Sequence, residues 1–143
     1  MACFGEMGIG NPSSASLVAA KVLGRQVGDL AGRGTGLDDN GLQRKVTLLK
    51  EAAGRTPTKL EAGTALAEYG GLEIAMMVGA MIGAAEKRRV VIIDGFIATA
   101  AALCAREIAP GCAASFVFAH KSAEAGHRVI LKALEDEPLL DLD

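Results

Sequence analysis

The run Val90-Val91-Ile92-Ile93 narrows the fold more than any other stretch of this chain. Consecutive β-branched residues suit an extended backbone, and an unbroken apolar run marks a strand covered on both faces. Asp94-Gly95 ends the run, and an apolar segment with helical character follows over 97–107. Pro110-Gly111 then turns the chain into a second extended stretch, 115–119. Strand, helix and strand in that order imply an α/β layer structure with parallel strands.

The remaining segments read as helices around that centre. Apolar periodicity predicts helices over 12–23, from Asp38 or Asp39 to 53, over 60–68, over 72–87 and, after a polar loop over 120–126, to about 134. Gly79, Ala80, Gly83 and Ala84 suit close packing of the fourth, whose end carries Lys87-Arg88-Arg89, cations that complement a helix C-terminus. Pro138 precedes an apolar tail over 139–142.

The opening stretch, Phe4-Gly5-Glu6-Met7-Gly8-Ile9-Gly10-Asn11-Pro12-Ser13-Ser14, reads as a glycine-rich turn between a short buried strand and a helix. Asn11, Ser13 or Ser14 suits the helix cap. Such a turn presents backbone N–H groups and a positive dipole end to a phosphate or carboxylate. The spacing of Gly5, Gly8 and Gly10 does not fit a dinucleotide fingerprint, and no Gly-Lys-Ser/Thr ends a P-loop. From the pattern alone, a ligand loop and a structural turn both stand. Loops opening near Glu6, Asp94 and His120 all follow strand ends, the side where open α/β sheets bind ligands.

With 143 residues the chain fits one domain, 1–143, able to bury a core. Aromatics make up 3% and Trp is absent, so that core is built from Ala, Leu, Val, Ile and Met. A formal charge of −2 with few stacking rings argues against nucleic acid and an anionic membrane. Cys3, Cys104 and Cys112 lack CxxC spacing and read as reduced, buried thiols. No signal sequence precedes the opening loop, and no apolar run is long enough to span a bilayer, so a cytoplasmic protein is expected. His120 and His127 have no metal-site spacing with the cysteines; neither a metal nor a cofactor is expected.

The opening stretch resembles a signature of the nicotinate-nucleotide–dimethylbenzimidazole phosphoribosyltransferase family. Gly32-Arg33-Gly34-Thr35-Gly36-Leu37 with Lys45, Gly70-Gly71-Leu72-Glu73, Asp94-Gly95-Phe96-Ile97, and His120-Lys121-Ser122-Ala123-Glu124-Ala125-Gly126-His127 resemble the same family in the same order. The resemblance implies a Rossmann-like three-layer α/β domain with a parallel sheet, here incomplete. It implies phosphoribosyl transfer from nicotinate mononucleotide to 5,6-dimethylbenzimidazole in cobalamin biosynthesis, and a homodimer. By resemblance, Glu6 assists the base and Lys45 faces the active site. Gly8, Gly10, Asn11, Gly34, Asp94 and Ser122 contact the substrate.

Each assignment has a plainer alternative. Glu6 also reads as a loop brace, Lys45 as an exposed helix lysine, and Asp94 and Ser122 as helix caps. His120 reads as a loop brace, and Glu73 as a first-turn acid favoured by the dipole. Asn11-Pro12-Ser13-Ser14 departs from the family's usual threonines, and Pro12 removes a backbone donor. The resemblance covers a central-to-late part of the family's large domain. In the family the principal base lies beyond that part, so this chain is not expected to complete the reaction alone. A nucleotide- or phosphate-binding module without turnover is the second expectation.

Overall fold

The computed structural model describes residues 1–34 and 36–141. Thr35 of the glycine-rich stretch and residues 142–143 of the apolar tail lie outside the described residues.

The chain runs β1 (Ala2–Gly5), α1 (Asn11–Leu23), α2 (Asp39–Ala53), α3 (Ala62–Tyr69), α4 (Leu72–Glu86), β2 (Val91–Asp94), α5 (Gly95–Ile108), β3 (Phe116–Phe118) and α6 (Ala125–Leu134). Short 3₁₀ turns stand at Val27–Asp29 and Pro110–Ser115. The strands form one parallel sheet in the order β1-β2-β3. The α/β expectation holds, and the helices fall where periodicity places them.

Helix α5 is the centre of the core. Every residue from Phe96 to Ala105 is buried, and the helix packs against α1, α3, α4, α6, β1 and β2. A helix buried all round must be apolar all round. Here Ala98, Ala100, Ala101, Ala102 and Ala105 let neighbours approach from every side. Close approach also explains Gly126 in α6, where a methyl group would stand 2.5 Å from the Leu30 carbonyl oxygen and 2.6 Å from the Phe96 ring.

The β-branched run differs from expectation on coverage. Val91 and Ile93 are buried, Ile92 is half-buried, and Val90 is exposed outside the strand. The row Phe4–Ile93–Phe118 contains the buried Ile93 and Phe118, whereas Cys3 in the row Cys3–Ile92–Val117 is exposed. β1 is therefore not the buried strand expected, and Cys3 is not a buried thiol. Helix α4 packs closely on α5 through Ile74, Val78 and Met81, but not through the glycines expected to allow it. Gly79 and Ala80 are exposed, open space surrounds Gly79 and Gly83, and Leu72 and Met76 stand out from the surface.

The tail does more than trail. Leu139 N–H donates to the Phe118 carbonyl at 2.9 Å and Leu140 N–H to that of Ala119 at 3.0 Å. Lys121 N–H answers to Leu140 at 2.9 Å, so the parallel ladder continues beyond β3.

Candidate active site

β1 ends at Gly5, β2 at Asp94 and β3 at Phe118, and the register sets Gly5 beside Asp94. Parallel strands bring the segments that follow, 6–10, the start of α5 and 119–124, to one edge of the sheet.

In the first segment, Asn11 Nδ2 donates to Glu6 Oε1 at 3.0 Å and ties that exposed carboxylate to the start of α1. Helix α1 is capped by Gly10, at φ 96°, without any side-chain hydrogen bond. The expected capping by Asn11, Ser13 or Ser14 is therefore not made, because a positive φ favours glycine and the Asn11 amide is given to Glu6. With Nδ2 turned to Glu6, Asn11 Oδ1 is buried without a hydrogen-bond partner among the described residues. Gly8 lies against this side chain. Pro12 occupies the first turn of α1, where a missing N–H costs the helix nothing.

In the second segment, Asp94 holds the cap position of α5, yet its side chain makes no cap bond. Its Oδ1 lies 2.6 Å from Nδ1 of His120 instead. A carboxylate only accepts, so Nδ1 carries the proton.

In the third segment, His127 is buried, and its Nδ1 accepts the Ser122 N–H at 3.0 Å, which leaves its proton on Nε2. Burial, with His120 alongside, pushes His127 down to about 4, so it is neutral at pH 7. Ser122 Oγ accepts the Glu124 N–H at 3.3 Å. Ser122 thus braces its own turn and does not cap α6, whose start has no side-chain cap.

The glycine-rich loop is held to this third segment. Glu124 Oε1 accepts the Gly34 N–H at 3.2 Å, and a methyl group on Gly32 would stand 1.6 Å from Glu124 Oε2. Lys45 Nζ donates to the Gly32 carbonyl at 2.9 Å. Arg33 pairs with Asp39 and donates to the Leu37 carbonyl, while Asp38 caps α2 through Gly41 N–H at 2.7 Å.

These contacts bring most of the candidate residues together. From Glu6 and Asn11 the contacts continue past Gly5, which lies beside Asp94, to His120, His127, Ser122, Glu124, Gly34, Gly32 and Lys45. A cavity of about 280 Å³ beside β1 is lined by Glu6, Glu73, Phe4, Met76 and Met77. A second, of about 390 Å³, lies between Gly32–Gly34 and Ala123–Ala125. Burial pushes the Cys104 thiol up to about 12, with Glu107 adding to it, and raises Cys112, so both stay protonated. Among the described residues, no group of three His, Cys, Asp or Glu side chains is placed to hold a metal ion, and no helix is long and apolar enough to cross a membrane.

Reading the sequence missed these pairings, Asp94–His120 and Glu124–Gly34 among them. Those two span partners far apart in the chain, and no local spacing signals them.

A phosphoribosyltransferase family model matches residues 1–143. A protein of Aromatoleum aromaticum named nicotinate-nucleotide–dimethylbenzimidazole phosphoribosyltransferase is 55% identical over 140 residues, covering 98% of this chain and 41% of that protein. The chain belongs to the nicotinate-nucleotide–dimethylbenzimidazole phosphoribosyltransferase family. A Dechloromonas aromatica member of the same name is 54% identical, over 97% of this chain and 41% of its own length. The crystal structure of CobT from Thermus thermophilus superposes with a TM-score of 0.92 at 38% identity, covering 99% of this chain and 42% of that one. The chain thus spans about two fifths of the length of these family members.

Proposed function

We propose that this chain holds the phosphoribosyl substrate of a transfer from nicotinate mononucleotide to 5,6-dimethylbenzimidazole, in cobalamin biosynthesis. An azole nitrogen bonds to the anomeric carbon, and the bond to nicotinate breaks with its electron pair going to the pyridine nitrogen. The azole N–H proton passes to a base, and the α-linked ribazole 5′-phosphate and nicotinate result. The observation that carries this reading is the convergence of Glu6, Asn11, Asp94 and Ser122 on one strand edge, in a family whose members bear that enzyme's name.

In this reading Glu6, oriented by Asn11, is the assisting carboxylate. Gly8, Gly10, Asn11, Gly34, Asp94 and Ser122 surround the sugar phosphate, and Lys45 steadies the glycine loop through Gly32. A homodimer in the cytoplasm belongs to the same proposal. The commitments of Asp94 to His120, Glu124 to Gly34 and Lys45 to Gly32 favour a second reading, a module that binds the nucleotide without turning it over.

Isothermal titration with nicotinate mononucleotide, followed by a turnover assay with dimethylbenzimidazole, separates the two. Saturable binding weakened about threefold to tenfold in Ser122→Ala, as expected for loss of one hydrogen bond, with turnover that depends on Glu6 supports the enzyme. The same binding without turnover supports the module. A folded chain that binds nothing removes both.

A further inference from the structure

We propose that His120 is a ligand-contacting residue of this edge, held by Asp94 so that its Nε2 meets the phosphate of a phosphoribosyl ligand. The proposal rests on the reading of the edge as a phosphoribosyl site and adds to it a residue first read as a loop brace.

Asp94 accepts the Nδ1 proton at 2.6 Å, which fixes both the tautomer and the plane of the ring. Nε2 makes no hydrogen bond to any described residue, and it is not among the buried polar atoms. It therefore opens to solvent, on a ring whose other nitrogen is anchored.

The surroundings select an anion. Ser122, two residues on, accepts the Glu124 N–H and keeps its hydroxyl proton for another acceptor. The first turn of α6 adds the positive end of a helix of 10 residues. The carboxylates are turned elsewhere: Asp94 to the far nitrogen of His120, and Glu124 to Gly34. The groups facing His120 are Asp94, from the end of β2, and the neutral His127 of α6, whose ring centre is 6.4 Å away. A phosphate at Nε2 would draw the second proton onto the ring, giving a charge-assisted N–H···O bond with Asp94 balancing the imidazolium.

The test separates bracing from contact by substitution. In His120→Asn the amide reaches the Nδ1 position and keeps the bond to Asp94 but has nothing at Nε2; His120→Gln places an amide near Nε2. Nicotinate mononucleotide, ribose 5-phosphate and the phosphate-free nicotinate riboside are titrated into each full chain, with the imidazole ¹⁵N signals of the parent followed by NMR. Expected are a shift of His120 Nε2 with both phosphates, about tenfold weaker phosphate binding in His120→Asn, partial recovery in His120→Gln, and no change for the riboside. Ribose 5-phosphate moving Nε2 while the nucleotide binds no more tightly would sink the substrate reading above and leave His120 standing. An unmoved Nε2 at saturating ribose 5-phosphate overturns the proposal. So does His120→Asn binding the nucleotide like the parent, or losing riboside affinity equally.

Discussion

The two ends of α1 treat polar groups in opposite ways. At its far end the Lys21 ammonium is buried and donates to the carbonyls of Ala53 at 2.6 Å, Thr56 at 3.0 Å and Pro57 at 2.7 Å. All three ammonium protons are used, at the carboxyl ends of α1 and α2 where backbone carbonyls converge, and the Tyr69 ring lies 5.7 Å from Nζ. At the near end, Asn11 Oδ1, the Ser122 hydroxyl proton and His120 Nε2 each lack a partner among the described residues. A closed network holds the fold together, whereas the open positions are those that the ligand proposed above would fill. Charge alone would point away from the end proposed above, because Lys21, Arg25 and Lys50 line a cavity at the closed end.

Breaking the closed end is the largest expected effect. Lys21→Ala strands three carbonyls and should cost about 3 kcal/mol in urea unfolding. Its affinity for nicotinate mononucleotide, measured on the folded fraction, should stay unchanged; a matching loss of affinity would erase the distinction between the ends.

Next comes acid, acting at the near end through His127. Its folded value lies below the ordinary 6.5, so the unfolded chain binds the extra proton between about pH 6.5 and 4. Stability is then fully present above 6.5 and falls as pH drops towards 4, by up to about 3 kcal/mol. His127→Asn keeps an acceptor for the Ser122 N–H and removes the titration, so its unfolding curves should flatten over that window. An unchanged slope would put the acid sensitivity elsewhere.

The smallest effect sharpens the near end. Gly32→Ala drives a methyl group into Glu124 Oε2, which swings away at a cost of up to about 1 kcal/mol as the tie to Gly34 breaks. In a Glu124→Ala background the same change should cost less than half as much. Additive costs would show that the two residues do not share a contact.

Much of the architecture was legible because its signals are local. A β-branched run before Asp94-Gly95, glycines and prolines between apolar stretches, and Asp38 ahead of α2 each act within a few residues. The edge that carries the candidate site followed from strand order, since parallel strands end together. The pairings were not legible. Asp94 read as a cap and His120 as a brace, but 26 residues separate them, and only the adjacency of β2 and β3 joins them. Lys21 lay hidden within an apolar helix, and its carbonyl partners come from the last residue of α2 and the turn after it.

The sequence by itself determined the family, the parallel α/β class and which loops share an edge, because periodicity and turn chemistry are properties of short segments. Tertiary structure alone decided coverage and partnership. It left α4 and the Cys3 row partly bare, joined the tail to β3, closed the carbonyl cage around Lys21, and left His120 Nε2 open. Those outcomes depend on which distant groups meet, and a hydrogen bond or a buried face exists only once both sides are in place.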